Sequence, residues 1–308
     1  MKKSNKILLI IFILILVLWF GSNLGLYLFT KYLVVGKESI ELINKVPETI
    51  NISYKETDGQ KIPFGDLEFI LPLKDYSTIK MFPGVYIVKQ EVEKHLISFS
   101  LIYEYEKKKN TVMIFLKNPD SKLADSMIEH SNYTMNDFNF WNPIHNYNSF
   151  NKLASKWIML PSNSDLQKYP LSIVNTQYFK GFLSNSIGKN WYRSSFDFSY
   201  NEKSYIFMLF GNNEQVITDD MQKIISSIKP IEDVENITQE LLYNYKNEKS
   251  IFEKQLALIS LISIEGPTIE NLTELKKLMI QEGARVDNID NLQKQIDIIN
   301  SNAKAVTN

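Results

Sequence analysis

The sequence predicts an α+β protein: an N-terminal transmembrane helix, then an antiparallel sheet with flanking helices, then an all-helical C-terminal region. Three observations carry this. Residues 7–30 are uncharged and dominated by Ile, Leu, Phe and Val. Residues 64–230 hold runs that alternate apolar and polar positions, the period of strands. From Glu232 onward apolar residues recur every three or four positions, the period of helices.

The run from Ile7 to Thr30, taken as a helix, reaches about 36 Å, enough to cross a hydrocarbon core of about 30 Å. Lys2, Lys3 and Lys6 precede it, so residues 1–6 are expected on the cytoplasmic side and the remainder outside the cell membrane. The competing reading is a cleaved signal peptide with Ile7–Phe20 as its apolar part, which would release a secreted protein beginning near Asn23. Frames around Gly21-Ser22-Asn23 place Trp19, Phe20, Asn23 or Leu24 where cleavage wants small residues, which favours an uncleaved anchor. With no cysteine the chain has no thiol to acylate, so a lipoprotein is excluded. Gly21 and Gly25 form a small-xxx-small pair through which two copies could self-associate, although glycine is common in membrane helices for other reasons.

Downstream, residues 31–63 read as a stalk and linker, with a short helix over 36–46 and a turn at Asp58-Gly59. Strands are expected at Leu67–Leu71, Val85–Val92, Leu96–Tyr105 and Thr111–Leu116, the last two joined by the solvated tip Glu106–Asn110. Ser121–His130 and Phe150–Leu160 have helical spacing. Three more strands follow at Gln177–Leu183, Trp191–Tyr200 and Ser204–Phe210. Thr218 opens a helix with Asp219 and Asp220 in its first turn, where the helix dipole favours negative charge, and Pro230 stops it. Residues 231–308 form the helical region: Glu232–Lys246, then Ser250–Ile264, whose apolar residues run nearly all round and demand burial on several sides. Asn271–Glu282 begins with a capping box, Asn271-Leu272-Thr273-Glu274, and stops at Gly283. Ile289–Ile299 is the last helix.

Two of these segments carry a family resemblance. Phe69-Ile70-Leu71-Pro72 opens residues 65–230, and the strand at Ser204–Phe210 followed by a helix ending Met221-Gln-Lys-Ile-Ile-Ser-Ser-Ile-Lys229 closes them. The arrangement resembles the Mog1/PsbP-like α/β sandwich. That resemblance implies a six- or seven-stranded antiparallel sheet with helices on its faces and a binding or assembly role. It carries no catalytic residues across.

Composition excludes several function classes. The formal net charge of −1 becomes −4 once Lys2, Lys3 and Lys6 are set aside, and Arg193 and Arg285 are the only arginines. Such a domain has no basic footprint for nucleic acid. His95, His130 and His145 show no H-x-x-x-H spacing, and without cysteine no metal site is legible. No cofactor is implied, since the chain has neither G-x-x-x-x-G-K nor G-x-G-x-x-G. No serine-nucleophile elbow is present either. His95 reads as a surface residue at a strand start. Trp191, Tyr192, Phe196, Phe198, Tyr200, Tyr205 and Phe207 alternate at strand spacing and read as core, with Arg193 beside them seeking a carboxylate.

One stretch stands out as a candidate site: Phe138, Phe140, Trp141, His145 and Tyr147, interleaved with asparagines. Flat aromatic faces beside amides that both donate and accept hydrogen bonds are the groups that grip a sugar ring or a peptide. The plainer reading is a loop whose rings plug a gap between sheet and helices. The function this supports is a single-pass, membrane-anchored, extracytoplasmic binding or scaffolding protein of the cell envelope, non-catalytic, with an envelope protein or a surface glycan as partner. The alternative from another class is an envelope hydrolase working with two carboxylates on distant loops.

Overall fold

The computed structural model describes residues 46–72, 77–88, 91–105, 108–118, 171–188 and 190–306, with isolated positions at 13, 14, 21, 25, 28, 128–130, 132 and 152. The chain divides into two units, residues 1–48 with 126–171 and residues 49–125 with 172–308. In the first, Lys152 pairs with Glu129 at 2.5 Å, and that hydrogen bond holds the Glu129 carboxyl below its usual range. Asn132 there donates to the Ile128 carbonyl at 3.0 Å. The second unit carries the architecture that follows.

Its larger sheet has eight strands, in the order β1 (Glu48–Asn51), β7 (Ser172–Asn175), β8 (Lys180–Gly188), β9 (Trp191–Tyr200), β10 (Lys203–Gly211), β6 (Lys108–Asn118), β5 (Glu91–Tyr105) and β4 (Ser77–Val88). Its smaller sheet has three, β11 (Lys229–Pro230), β3 (Leu67–Leu71) and β2 (Gln60–Phe64). From β7 to β4 neighbours run antiparallel. The Ile52 N–H donates to the Asn175 carbonyl at 2.9 Å, joining the C-terminal ends of β1 and β7, so these two run parallel and the sheet is mixed.

This overturns the expected fold class in two respects. A single antiparallel sheet was expected, whereas a mixed sheet of eight strands lies with a second sheet of three. The second sheet draws β2 from five residues interrupted by Pro63 and β11 from two residues at a proline, both too short for alternation to mark them as strands. An N-terminal transmembrane helix was also expected, yet among the described residues no helix is long and apolar enough to cross a membrane. The most apolar of them has 15 residues, about 22 Å of rise against a core of about 30 Å. Of residues 7–30, Ile13, Leu14, Gly21, Gly25 and Leu28 are described; each is helical and exposed, and the rest lie outside the described residues. A Cβ on Gly21 or Gly25 would meet no atom within 4 Å.

Alternation builds the core. In β5 the residues Ile97, Phe99, Leu101 and Tyr103 are buried, while Leu96, Ser98, Ser100 and Ile102 between them are half-buried on the second face. The same parity buries Val112, Ile114 and Leu116 in β6 and Tyr205, Phe207 and Leu209 in β10. The small sheet covers this face: Phe64 meets Phe99 edge-on at 5.5 Å, and Phe69 meets Phe207 edge-on at 4.9 Å. Its β2–β3 turn is fastened at both residues. The Gly65 N–H donates to Ser263 Oγ at 2.8 Å and the Asp66 N–H to Tyr205 Oη at 3.0 Å. Gly65 has φ +64, and a Cβ there would lie 2.6 Å from that same Oη. Burial of Tyr205 raises its pKa far above the usual phenol range, so the oxygen stays a neutral acceptor.

Five helices are described after β10: α1 (Glu214–Ser227), α2 (Val234–Asn247), α3 (Ile251–Glu265), α4 (Ile269–Gln281) and α5 (Val286–Val306). α1 starts earlier than expected because Asn213, not Thr218, caps it, accepting from the N–H groups of Gln215 and Val216. Asp220 therefore sits mid-helix, only 1% exposed, and accepts a hydrogen bond from Tyr103 Oη at 3.2 Å; it is a core residue and not a cap. Likewise Thr268 caps α4, accepting from the Asn271 N–H, so the expected capping box lies one turn inside the helix. His95 is buried at 8% exposure on the core face of β5, which corrects its reading as a surface residue. Residues 255–263 of α3 are all buried, as an all-round apolar helix requires.

Candidate functional site

Among the described residues strand β4 pairs with β5 alone, which leaves one row of its backbone groups open along an edge. Pro83-Gly84 sits inside it, and an edge strand is where a sheet tolerates proline. Helix α5 lies against this edge. Gln295, buried at 6% exposure, accepts a hydrogen bond from the Ile87 N–H at 2.8 Å through its Oε1. Where α5 and α4 diverge from the strands, a groove of about 480 Å³ opens.

The groove is assembled by parity. Tyr86 and Gly84 of β4 stand opposite Leu96 and Ser98 of β5, on the second face of the sheet. Asn288, Asn291, Leu292 and Gln295 come from successive turns of α5, and Met279 from α4. Leu96, Met279 and Leu292 supply an apolar floor; Ser98, Asn288, Asn291 and Lys294 supply a rim of hydroxyl, amide and ammonium groups. Tyr86 stands at the mouth with 60% of its surface exposed. Gly84 keeps the floor open, since a Cβ there would lie 2.8 Å from Ser98 Oγ. A concave, partly apolar surface with a few convergent polar groups is the usual form of a ligand site.

No family model matches the chain. No curated protein matches it either. Among solved structures, a crystal structure from Bacteroides thetaiotaomicron VPI-5482 at 1.50 Å resolution aligns with 78% of this chain and 99% of its own, at 8% identity and a TM-score of 0.33. A likeness at that level carries no argument about fold or function.

Phe138, Phe140, Trp141, His145 and Tyr147 lie outside the described residues. Of the second aromatic set, Tyr192, Phe196, Phe198, Tyr205 and Phe207 are buried, with Phe198 stacked on Tyr205 at 5.2 Å, whereas Trp191 is 45% exposed at the β8–β9 hairpin end. Arg193 makes no ion pair with a carboxylate among the described residues, and its buried Nε has no hydrogen-bond partner; its charge acts on Asp197 from a distance. It shares the second face of β9 with Ser195 and Asp197, where Ser195 Oγ donates to Asp197 Oδ2 at 3.2 Å. Burial pushes the Asp197 carboxyl up to about 7, and the Ser195 hydrogen bond and the Arg193 charge pull against it. The groove was missed because its residues are single polar positions from elements far apart in sequence. The one signal was the amide-rich start of the last helix, Asn288 and Asn291.

Proposed function

We propose that the protein is a non-catalytic binding or scaffolding protein working on the extracytoplasmic side of a cell membrane, with the β4–α5 groove as its ligand site and an envelope protein or surface glycan as partner. The observation that carries this reading is the groove's chemistry. Its described polar groups are amides, hydroxyls and one ammonium, the equipment of recognition by hydrogen bonding. Residues 7–30 support the place at a membrane through their uncharged, apolar composition.

Site-directed photocrosslinking in cells tests it, because the captured molecule identifies itself by mass. A photoreactive phenylalanine analogue at Tyr86, whose ring is mostly exposed, is expected to capture an envelope protein or glycan. Asn291→Ala with Lys294→Ala should cut that yield at least fivefold while Tm stays within a few degrees. An adduct pattern indifferent to both substitutions, or no adduct, would sink the reading.

A further inference from the structure

One wall of the groove beside β4 is backbone. In an antiparallel pair, successive residues of an edge strand turn their N–H and C=O groups alternately into the ladder and away from it. Ile87 sends its N–H out of the β4–β5 ladder, to Gln295 Oε1 at 2.8 Å. The register is regular from Lys80 to Ile87, so Val85 and Pro83, two and four residues earlier, turn their backbone groups outward as well. Pro83 has no N–H to leave stranded there, which is why the edge accommodates it. The outward N–H of Val85 meets no acceptor among the described residues. Both Val85 and Pro83 line the groove.

The opposite wall is α5, which presents Asn288, Asn291 and Gln295. An amide donates and accepts at once, as a peptide group does, and Gln295 already takes the place at Ile87 that a neighbouring strand's carbonyl would take. This wall decides what kind of strand fits. A strand inside another sheet has a neighbour along its far edge and has no room for a helix there. A single extended segment keeps that edge free for the asparagine amides. Charge narrows the choice further, since Lys294 is the one charged residue of the lining, is exposed, and makes no ion pair among the described residues. Its complement is a carboxylate.

We propose that the groove takes an extended, acidic peptide segment of a partner protein as an added strand on β4. This rests on the groove being the ligand site, as proposed above, and chooses protein over glycan. Main-chain hydrogen bonds to Val85 and Pro83 set the register, alternate side chains turn toward Leu96, Met279 and Leu292, and a carboxylate meets Lys294.

Panning a random heptapeptide library on the full-length chain, then titrating the enriched peptides with both ends blocked, tests this. The enriched peptides should carry Asp or Glu. N-methylation scanned one amide at a time should weaken them with a period of two residues. Val85→Pro removes one outward N–H and no ladder bond, so Tm should stay within a few degrees while affinity falls about fivefold. Where that variant folds poorly, Lys294→Glu carries the test, and should weaken an acidic peptide at least fivefold and its Gln counterpart less than twofold. Failure to enrich peptides, or affinity indifferent to backbone methylation and to both substitutions, overturns the proposal. So does concentration-dependent dimerisation of the full-length chain that Val85→Pro abolishes, which gives the edge to a second copy. A glycan adduct at the photoreactive Tyr86 position without peptide enrichment overturns this inference and keeps the groove as a ligand site, whereas no adduct and no peptide removes both.

Discussion

Asp197 couples the sheet to pH. Its carboxyl is raised from 3.8 to about 7 in the folded chain, so the native state holds a proton that the unfolded state releases. The stabilisation this proton provides is complete below about pH 4 and is lost as pH rises through 7. Asp197→Asn remains neutral and keeps an acceptor for Ser195, so the urea midpoint should fall between pH 4.5 and 8 in the native chain and stay flatter in the variant. Parallel curves would assign the pH dependence to another group. Gly65 sets a second residue-scale expectation: Gly65→Ala places a methyl against Tyr205 Oη at positive φ, and thermal unfolding should show a loss of at least about 1–2 kcal/mol. The sequence alone offered no sign of either role. Arg193 was singled out, but Asp197, on which its charge acts without an ion pair, lies four residues along the same strand face, a relation that needs the strand's parity and burial to be known. Asp220 misled for the opposite reason, since a carboxylate near a helix start ordinarily caps it, and only the position of Asn213 moves the start a turn earlier.

Among the elements, the β9–β10 hairpin turns through Asn201 and Glu202 with φ of 48 and 60. Two left-handed residues suit the twist of a two-residue hairpin loop, and Asn tolerates that conformation better than Glu. Glu202→Gly should therefore stabilise the chain by about 0.5–1 kcal/mol, read from the urea midpoint; a loss would mean the Glu202 side chain has an unseen favourable contact. Gln295→Ala strands the buried Ile87 N–H and should cost about 1–3 kcal/mol by the same measurement. Elements with a strong signal of their own were legible: β3 has the boundaries its short apolar run indicates, β9 those of its aromatic alternation, and α3 the all-round burial its composition demands. Those stabilised chiefly by neighbours were not. β4 runs through Pro83-Gly84 because only one side of it is paired, and β11 is a strand by virtue of β3 alone. The groove inherits that illegibility, being made where β4 meets α5.

At the scale of the whole molecule, the apolar run of residues 7–30 and the folded second unit make separate claims. If the run holds the protein at a membrane, alkaline carbonate should leave the full-length chain in the pellet, and recovery in the supernatant would remove the membrane from the proposed function.

The Gln295 contact on Ile87 has a practical corollary for anyone producing shortened versions of this chain. A version ending before Val286 would uncover the free side of β4, whose open N–H and C=O groups are a template for pairing with the same strand of another molecule. Such a fragment is expected to elute as dimers or larger species in size-exclusion chromatography, and boundaries drawn beyond Val306 should avoid it.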